Sequence, residues 1–262
     1  MRSGCVFFKK EIKAILRTYR IWVIPLIFIF FGVLSPVTAK FTPALVKAAI
    51  QADKTQQQIF GQIKIPEPTA VDAYGQWFKN LSQFGILALI LTSMGLISEE
   101  KTRGTLALVV TKPIARTSIV VSKFLSQTGL LAASGAMGLG ACYLYTILLF
   151  DKAPFRPIAL STLAFAAFAL LVLSITIFFS ALLKHQMGAG GLALLSVFAL
   201  SILASLGRGL EKYSPGALPG MALKIATGSQ AFSKTYPAIA ISIAASVVMI
   251  AAAAYVLEHQ EI

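Results

Sequence analysis

Six stretches of this chain run for nineteen residues or more without an Asp, Glu, Lys or Arg: 21–39, 80–98, 124–150, 157–183, 185–207 and 235–257. No other feature of the sequence restricts the fold so strongly. The hydrocarbon core of a bilayer, about 30 Å thick, takes roughly 20 helical residues at 1.5 Å each. Each run is therefore long enough to cross once. Lipid offers the backbone no hydrogen-bond partner, so every crossing segment must satisfy its own amides. The expectation is an all-α polytopic membrane protein, a single transmembrane domain over 1–262 with six transmembrane helices.

Composition agrees. The chain is 57% hydrophobic and only 13% charged, whereas soluble globular chains are charged at about one residue in four. The net charge of +13 invites comparison with nucleic-acid-binding proteins, but the cations flank or connect the uncharged runs. That placement suits the positive-inside rule and anionic lipid, and argues for the bilayer as partner and against nucleic acid. Cys5 lies in the basic N-terminal segment and Cys142 within an uncharged run. Without a plausible pairing or a metal-type spacing, two free thiols are expected.

Residues 1–20 carry Arg2, Lys9, Lys10, Lys13, Arg17 and Arg20, and the connector after the second run carries Lys101, Arg103, Lys112, Arg116 and Lys123. Cation totals for the two sides, twelve against eleven, do not orient the chain by themselves. Long loops weigh less than short ones, and the first loop on the other side exceeds forty residues. The orientation favoured has both termini cytoplasmic. Spans are placed at 21–37, 80–98, 123–150, 157–183, 187–207 and 235–257, with an external loop at 38–79, a cytoplasmic connector at 99–122 and an external or re-entrant segment at 208–234. Within 1–20, Phe8, Ile12, Ile15, Leu16 and Tyr19 fall on one helical arc and the cations on another, the pattern of an interfacial amphipathic elbow. A cleavable signal ending at Val37-Thr38-Ala39 is the competing reading of 1–39, disfavoured by the length of the apolar run. The segment 208–234 mixes Pro and Gly with the apolar "ALPGMALKIA", which suits short helices dipping into the outer face.

Little in the sequence points to chemistry. No G-x-x-x-x-G-K-[ST] occurs, so the chain lacks a phosphate-cradling P-loop. "GAMGLG" at 135–140 lies within a 27-residue uncharged run and reads as helix packing rather than a dinucleotide loop. Ala132, Ala136 and Gly140, and likewise Ala240, Ala244 and 251–254, supply the small-residue spacing expected of close helix contacts, within the bundle in the first place and across a dimer seam as the alternative. His185 and His259 have no carboxylate or Cys partner at a recognised spacing. The six runs hold no ionisable group of the kind that ion-coupled carriers keep at mid-membrane. An enzyme or a secondary carrier is therefore disfavoured, and no metal site or substrate residue is assigned.

The connector "EEKTRGTLALVVTKPIARTSIVVSKF", 99–124, combines acids, cations, a Gly-Thr break and an apolar patch. A plain loop needs only polar residues, so this surface reads as a docking site for a soluble partner. Its pattern, E-x-x-x-G-T-L-x-x-x-x-x-x-P-[IV]-x-R-x-x-x-x-x-x-K, is supplied by Glu100, Gly104, Thr105, Leu106, Pro113, Ile114, Arg116 and Lys123. Just after a second span, it resembles the permease subunits of type-2 ABC exporters. Ala115 stands where Ser is frequent, and "LVVT" replaces a more Leu-rich run; these departures bear on subfamily. The resemblance implies a cell-membrane permease that pairs as a homo- or heterodimer and binds two separate ATP-binding cassette ATPase subunits. ATP and Mg would then sit on the partner ATPase, with no cofactor on this chain. It further implies that Glu99, Glu100, Arg103, Gly104, Thr105, Leu106, Pro113 and Arg116 form the ATPase-coupling contact. A second contact would come from the elbow residues Phe8, Lys9, Lys13 and Arg17. Export of a lipophilic or amphipathic compound (drug, peptide or lipid) is the function implied; the alternative is an anchor that passes ATPase motion to an extracytoplasmic partner.

Overall fold

The computed structural model describes residues 13, 18, 20–52, 67–104, 116–150, 153–207, 209 and 211–260. Among these the chain is helical, without strands: α1 (Arg20–Ala52), α2 (Ala70–Asn80), a π-helical turn (Leu81–Gly85), α3 (Ile86–Ser93), α4 (Ser98–Thr102), α5 (Arg116–Phe150), α6 (Phe155–Leu182), α7 (Gln186–Ser205), α8 (Leu218–Ala226) and α9 (Tyr236–His259). Short 3₁₀ turns at Pro215–Ala217 and Phe232–Thr235 flank α8. Six helical segments are long and apolar enough to cross a membrane: Ile21–Ala52, Ala70–Thr102, Arg116–Phe150, Phe155–Leu182, Gln186–Ser205 and Phe232–His259.

Two helices outrun the uncharged stretches that define them. α1 continues from the first run through Lys40 and Lys47 to Ala52, about 50 Å in all at 1.5 Å per residue, so residues 38–52 prolong the first crossing helix. Lys40 Nζ donates to the Leu149 carbonyl at 2.7 Å, placing positive charge at the C-terminal turn of α5, where the helix dipole favours it. The second crossing helix starts ten residues before its uncharged run, at Ala70, because Thr69 caps it. The Thr69 amide donates to Asp72 Oδ2 at 2.9 Å, and the Asp72 amide donates back to Thr69 Oγ1 at 3.4 Å, a reciprocal capping box.

α6 is the central helix. It touches α3, α5, α7, α8 and α9, and its buried positions include Ser161, Ser174, Thr176 and Ser180. Between apolar helices in lipid the hydrophobic effect gives no preference for one face over another; close approach and hydrogen bonding decide. Hydroxyls suit that interior because each can satisfy itself on its own helix: Ser174 donates to the Leu170 carbonyl and Thr176 to the Val172 carbonyl, both at 2.8 Å.

The small-residue faces expected to pack are not the ones that do. On α5, Ala132 and Ala136 are exposed, while Ser134, Gly138, Cys142 and Thr146 are buried. On α9, Ala240 and Ala244 are exposed and Ala238, Ser242 and Ser246 are buried, although Ala253 and Ala254 do turn inward. Two residues along a helix is a rotation of roughly 200°, so faces offset by two lie on opposite sides. Both faces carry small residues, and spacing alone cannot choose between them. α1 and α5 approach backbone to backbone. A Cβ on Gly32 would lie 2.7 Å from the Gly138 carbonyl oxygen, and one on Gly138 would lie 2.9 Å from that of Phe28.

Candidate functional site

The second crossing helix ends at Ser93, turns through 94–97 and resumes as α4, which opens the connector. The first amides of any helix lack an intrahelical acceptor. Here another helix supplies one: the Ile97 and Ser98 amides both donate to Ser180 Oγ of α6 at 3.0 Å. α4 stops one turn later at Gly104, whose φ of +67° lies in the left-handed region that glycine enters without steric penalty. Its amide donates to the Lys101 carbonyl at 3.1 Å. The glycine of the connector motif therefore has a geometric reason to be there.

Four charged side chains fasten this short helix and the start of α5 to the rest of the bundle. Lys123, with its side chain only 3% exposed, meets Glu100 at 2.8 Å. Lys101 Nζ donates to the Ala181 carbonyl at the end of α6 and to Gln260 Oε1 just beyond α9, while Gln260 Nε2 donates to the Leu182 carbonyl at 3.2 Å. Arg116 Nη1 donates to the carbonyls of Leu257, Glu258 and Gln260 at 2.8, 3.0 and 3.1 Å, a cation closing the C-terminus of α9. Thr102 Oγ1 adds a bond to the Lys184 carbonyl at 2.8 Å. The ends of the second crossing helix, α6 and α9 and the beginning of α5 thus meet at one polar joint.

The outward side of the same helix is different. Arg103 and Glu99 pair at 2.7 Å with side chains 70% and 37% exposed. They border an open depression of about 510 Å³ whose other walls include His185 and Met187; Met187 is 80% exposed. Adjacent acids consecutive in sequence thus face different surroundings, Glu99 toward this depression and Glu100 toward Lys123.

Of the expected coupling residues, Glu99, Glu100, Arg103 and Gly104 are brought together, and Arg116 stands at the joint against α9. Thr105, Leu106 and Pro113 lie outside the described residues, as do Phe8, Lys9 and Arg17 of the elbow; Lys13 is exposed. Lys101, Ser180 and Gln260 were not singled out from sequence. Lys123 was part of the motif, although nothing local to it signals its partner 23 residues away.

The family described as "ABC-2 family transporter protein" matches residues 5–262. The chain belongs to this family. A relative from Bacillus subtilis (strain 168), "Uncharacterized transmembrane protein YxlG", is 23% identical over 198 residues, covering 76% of this chain and 74% of its own length. The protein is accordingly a multi-pass ABC-2 membrane subunit, and the polar joint lies at the connector that follows its second crossing helix.

Proposed function

We propose that this ABC-2 subunit is a cell-membrane permease that exports a lipophilic or amphipathic compound, driven by ATP hydrolysed on two separate ATPase subunits. In this reading both termini and the connector are cytoplasmic, ATP and Mg are held by the partner, and a second permease copy or relative completes the transmembrane passage. The exposed flank of α7, with Leu195, Phe198 and Ile202 uncovered, suits that second permease. The observation that carries the proposal is the two-sidedness of α4. Its outer side, Glu99 and Arg103 beside Met187, offers charge and apolar surface to a soluble partner. Its inner side, through Glu100, Lys101 and the capping by Ser180, is tied to the ends of the crossing helices, so a push on the outside displaces them together.

Affinity purification of the full chain from its native membranes tests the proposal. A polypeptide carrying a P-loop, and ATP hydrolysis, are expected to co-elute, while the chain stripped of that partner hydrolyses no ATP. Hydrolysis by the stripped chain, or elution without any ATPase, contradicts it.

A further inference from the structure

Between α5 and α6 the bundle leaves a cleft of about 290 Å³, lined almost wholly by apolar side chains. It follows α5 from Thr128 to Leu139, about 16 Å at 1.5 Å per residue. Its mouth opens sideways: Ala132, Ala136 and Leu163 line it and are exposed on the flank of the bundle. In a membrane protein that flank faces hydrocarbon. The volume falls at the small end of ligand cavities, which fits one long, narrow occupant and leaves no room for a helix.

The cleft is not uniformly apolar. Trp77 and Thr128 line it, and Trp77 Nε1 and Thr128 Oγ1 are buried without a hydrogen-bond partner among the described residues. The Trp77 side chain is wholly enclosed, at 0% exposure. An indole N–H can only donate, and buried donors are ordinarily paired. A ligand that fills the cleft and supplies an acceptor meets both requirements.

We infer that this cleft is a lateral binding site for a single acyl chain whose ester or amide carbonyl accepts from Trp77 and Thr128. The chain comes from a phospholipid of the bilayer or from a free acyl amphiphile; the recognition chemistry is the same. The site deepens the permease reading, giving its lipophilic cargo a place to leave or join the bilayer sideways, and it rests on that reading for its purpose. Binding itself needs no ATPase. A failed binding test therefore removes the cleft and leaves the permease reading, whereas a failed ATPase co-purification does the reverse.

The chain has two tryptophans, which makes the test direct. Trp22→Phe leaves Trp77 as the sole indole, and Trp77→Phe leaves Trp22, 73% exposed, as a control for the bilayer. Each full-length variant is reconstituted either in vesicles of phosphatidylcholine with dibrominated acyl chains or in unbrominated vesicles titrated with a brominated acyl methyl ester. Bromine quenches an indole at short range, so an occupied cleft lowers Trp77 emission by about twofold or more, saturably, and beyond whatever quenching survives in the cleft-filling variants. Quenching in the first vesicles assigns bilayer lipid; quenching only by the ester assigns a free amphiphile. Gly135 lines the cleft, and a Cβ there meets no atom within 4 Å, so Gly135→Leu fills the space and is expected to abolish Trp77 quenching while Trp22 stays quenched. Ala166→Leu fills it from the opposite wall should the first filler disturb folding. Trp77 emission untouched by either brominated probe, or quenched equally in both fillers, overturns the proposal.

Discussion

Around Arg116 and Lys123, α5 is fastened by charge; about four turns further on, at Gly138, it is fastened by contact. The first region lies at the connector, where Lys123 meets Glu100 at 2.8 Å and Arg116 closes the end of α9. The second lies between uncharged stretches of α1 and α5, where Gly138 and Gly32 let two backbones come together. Directional polar bonds set how the helix ends are arranged relative to one another. Steric closeness sets which helices run side by side, but has no sign or partner chemistry to switch. The proposed drive through the connector would need both: a seam that does not slip, and a joint whose geometry a partner can displace.

The largest effect is expected from breaking the seam. Gly138→Leu sets a side chain against the Phe28 backbone at 2.9 Å, where no flexible atom can yield, and should cost about 3 kcal/mol. Gly135→Leu, on the same helix but facing open space, should change stability by no more than about 1 kcal/mol. Thermal unfolding of the two variants in detergent checks the pair; equal losses would mean that the two faces of α5 are not distinct.

Next comes the joint. Glu100→Gln takes a counter-charge from Lys123, whose side chain is 3% exposed. Loss of one partner of a buried pair is strongly destabilising, here about 2 kcal/mol because Glu100 itself is partly solvated. Glu100→Leu combined with Lys123→Leu should recover most of that loss, and thermal unfolding of single and double variants measures it. Additive losses would show that the two side chains do not act on each other.

A smaller, local effect is expected at Arg116. Arg116→Ala leaves the last carbonyls of α9 without their cation and should cost about 1 kcal/mol. Hydrogen exchange should quicken in the final turn of α9, near Leu257, and stay unchanged in its middle. Unchanged exchange at that turn would remove Arg116 from the joint.

The six crossing helices were legible because missing charge is a strong signal over nineteen residues. Their ends were not, because a helix may continue into water once its polar groups are satisfied, as α1 does beyond Lys40. The start of α2 could have been read: Thr69-x-x-Asp72 is a capping-box spacing, and it preceded the uncharged run. Packing faces were misread for a physical reason. Alanine and serine are equally small, but a serine that bonds its own helix can be buried, whereas alanine is equally at home against lipid. Of the connector motif, Glu100 and Lys123 pair directly and Arg116 bonds the end of α9. Ser180, Lys101 and Gln260 could not be seen, since their partners are about 80 or more residues away and any serine or lysine near a helix end looks alike.

The account turns on α4 having an outward side for an ATPase and an inward side for the bundle. The most direct measurement is recovery of ATPase with the tagged, full-length Arg103→Glu/Met187→Asp variant, alongside its thermal unfolding. Both residues are exposed, at 70% for the Arg103 side chain and 80% for Met187, so the fold should lose less than about 1 kcal/mol. Reversed charge and a new acid in the docking surface should lower ATPase recovery about tenfold or more, the equivalent of about 1.4 kcal/mol of binding. Undiminished recovery of the ATPase with this variant would contradict the account.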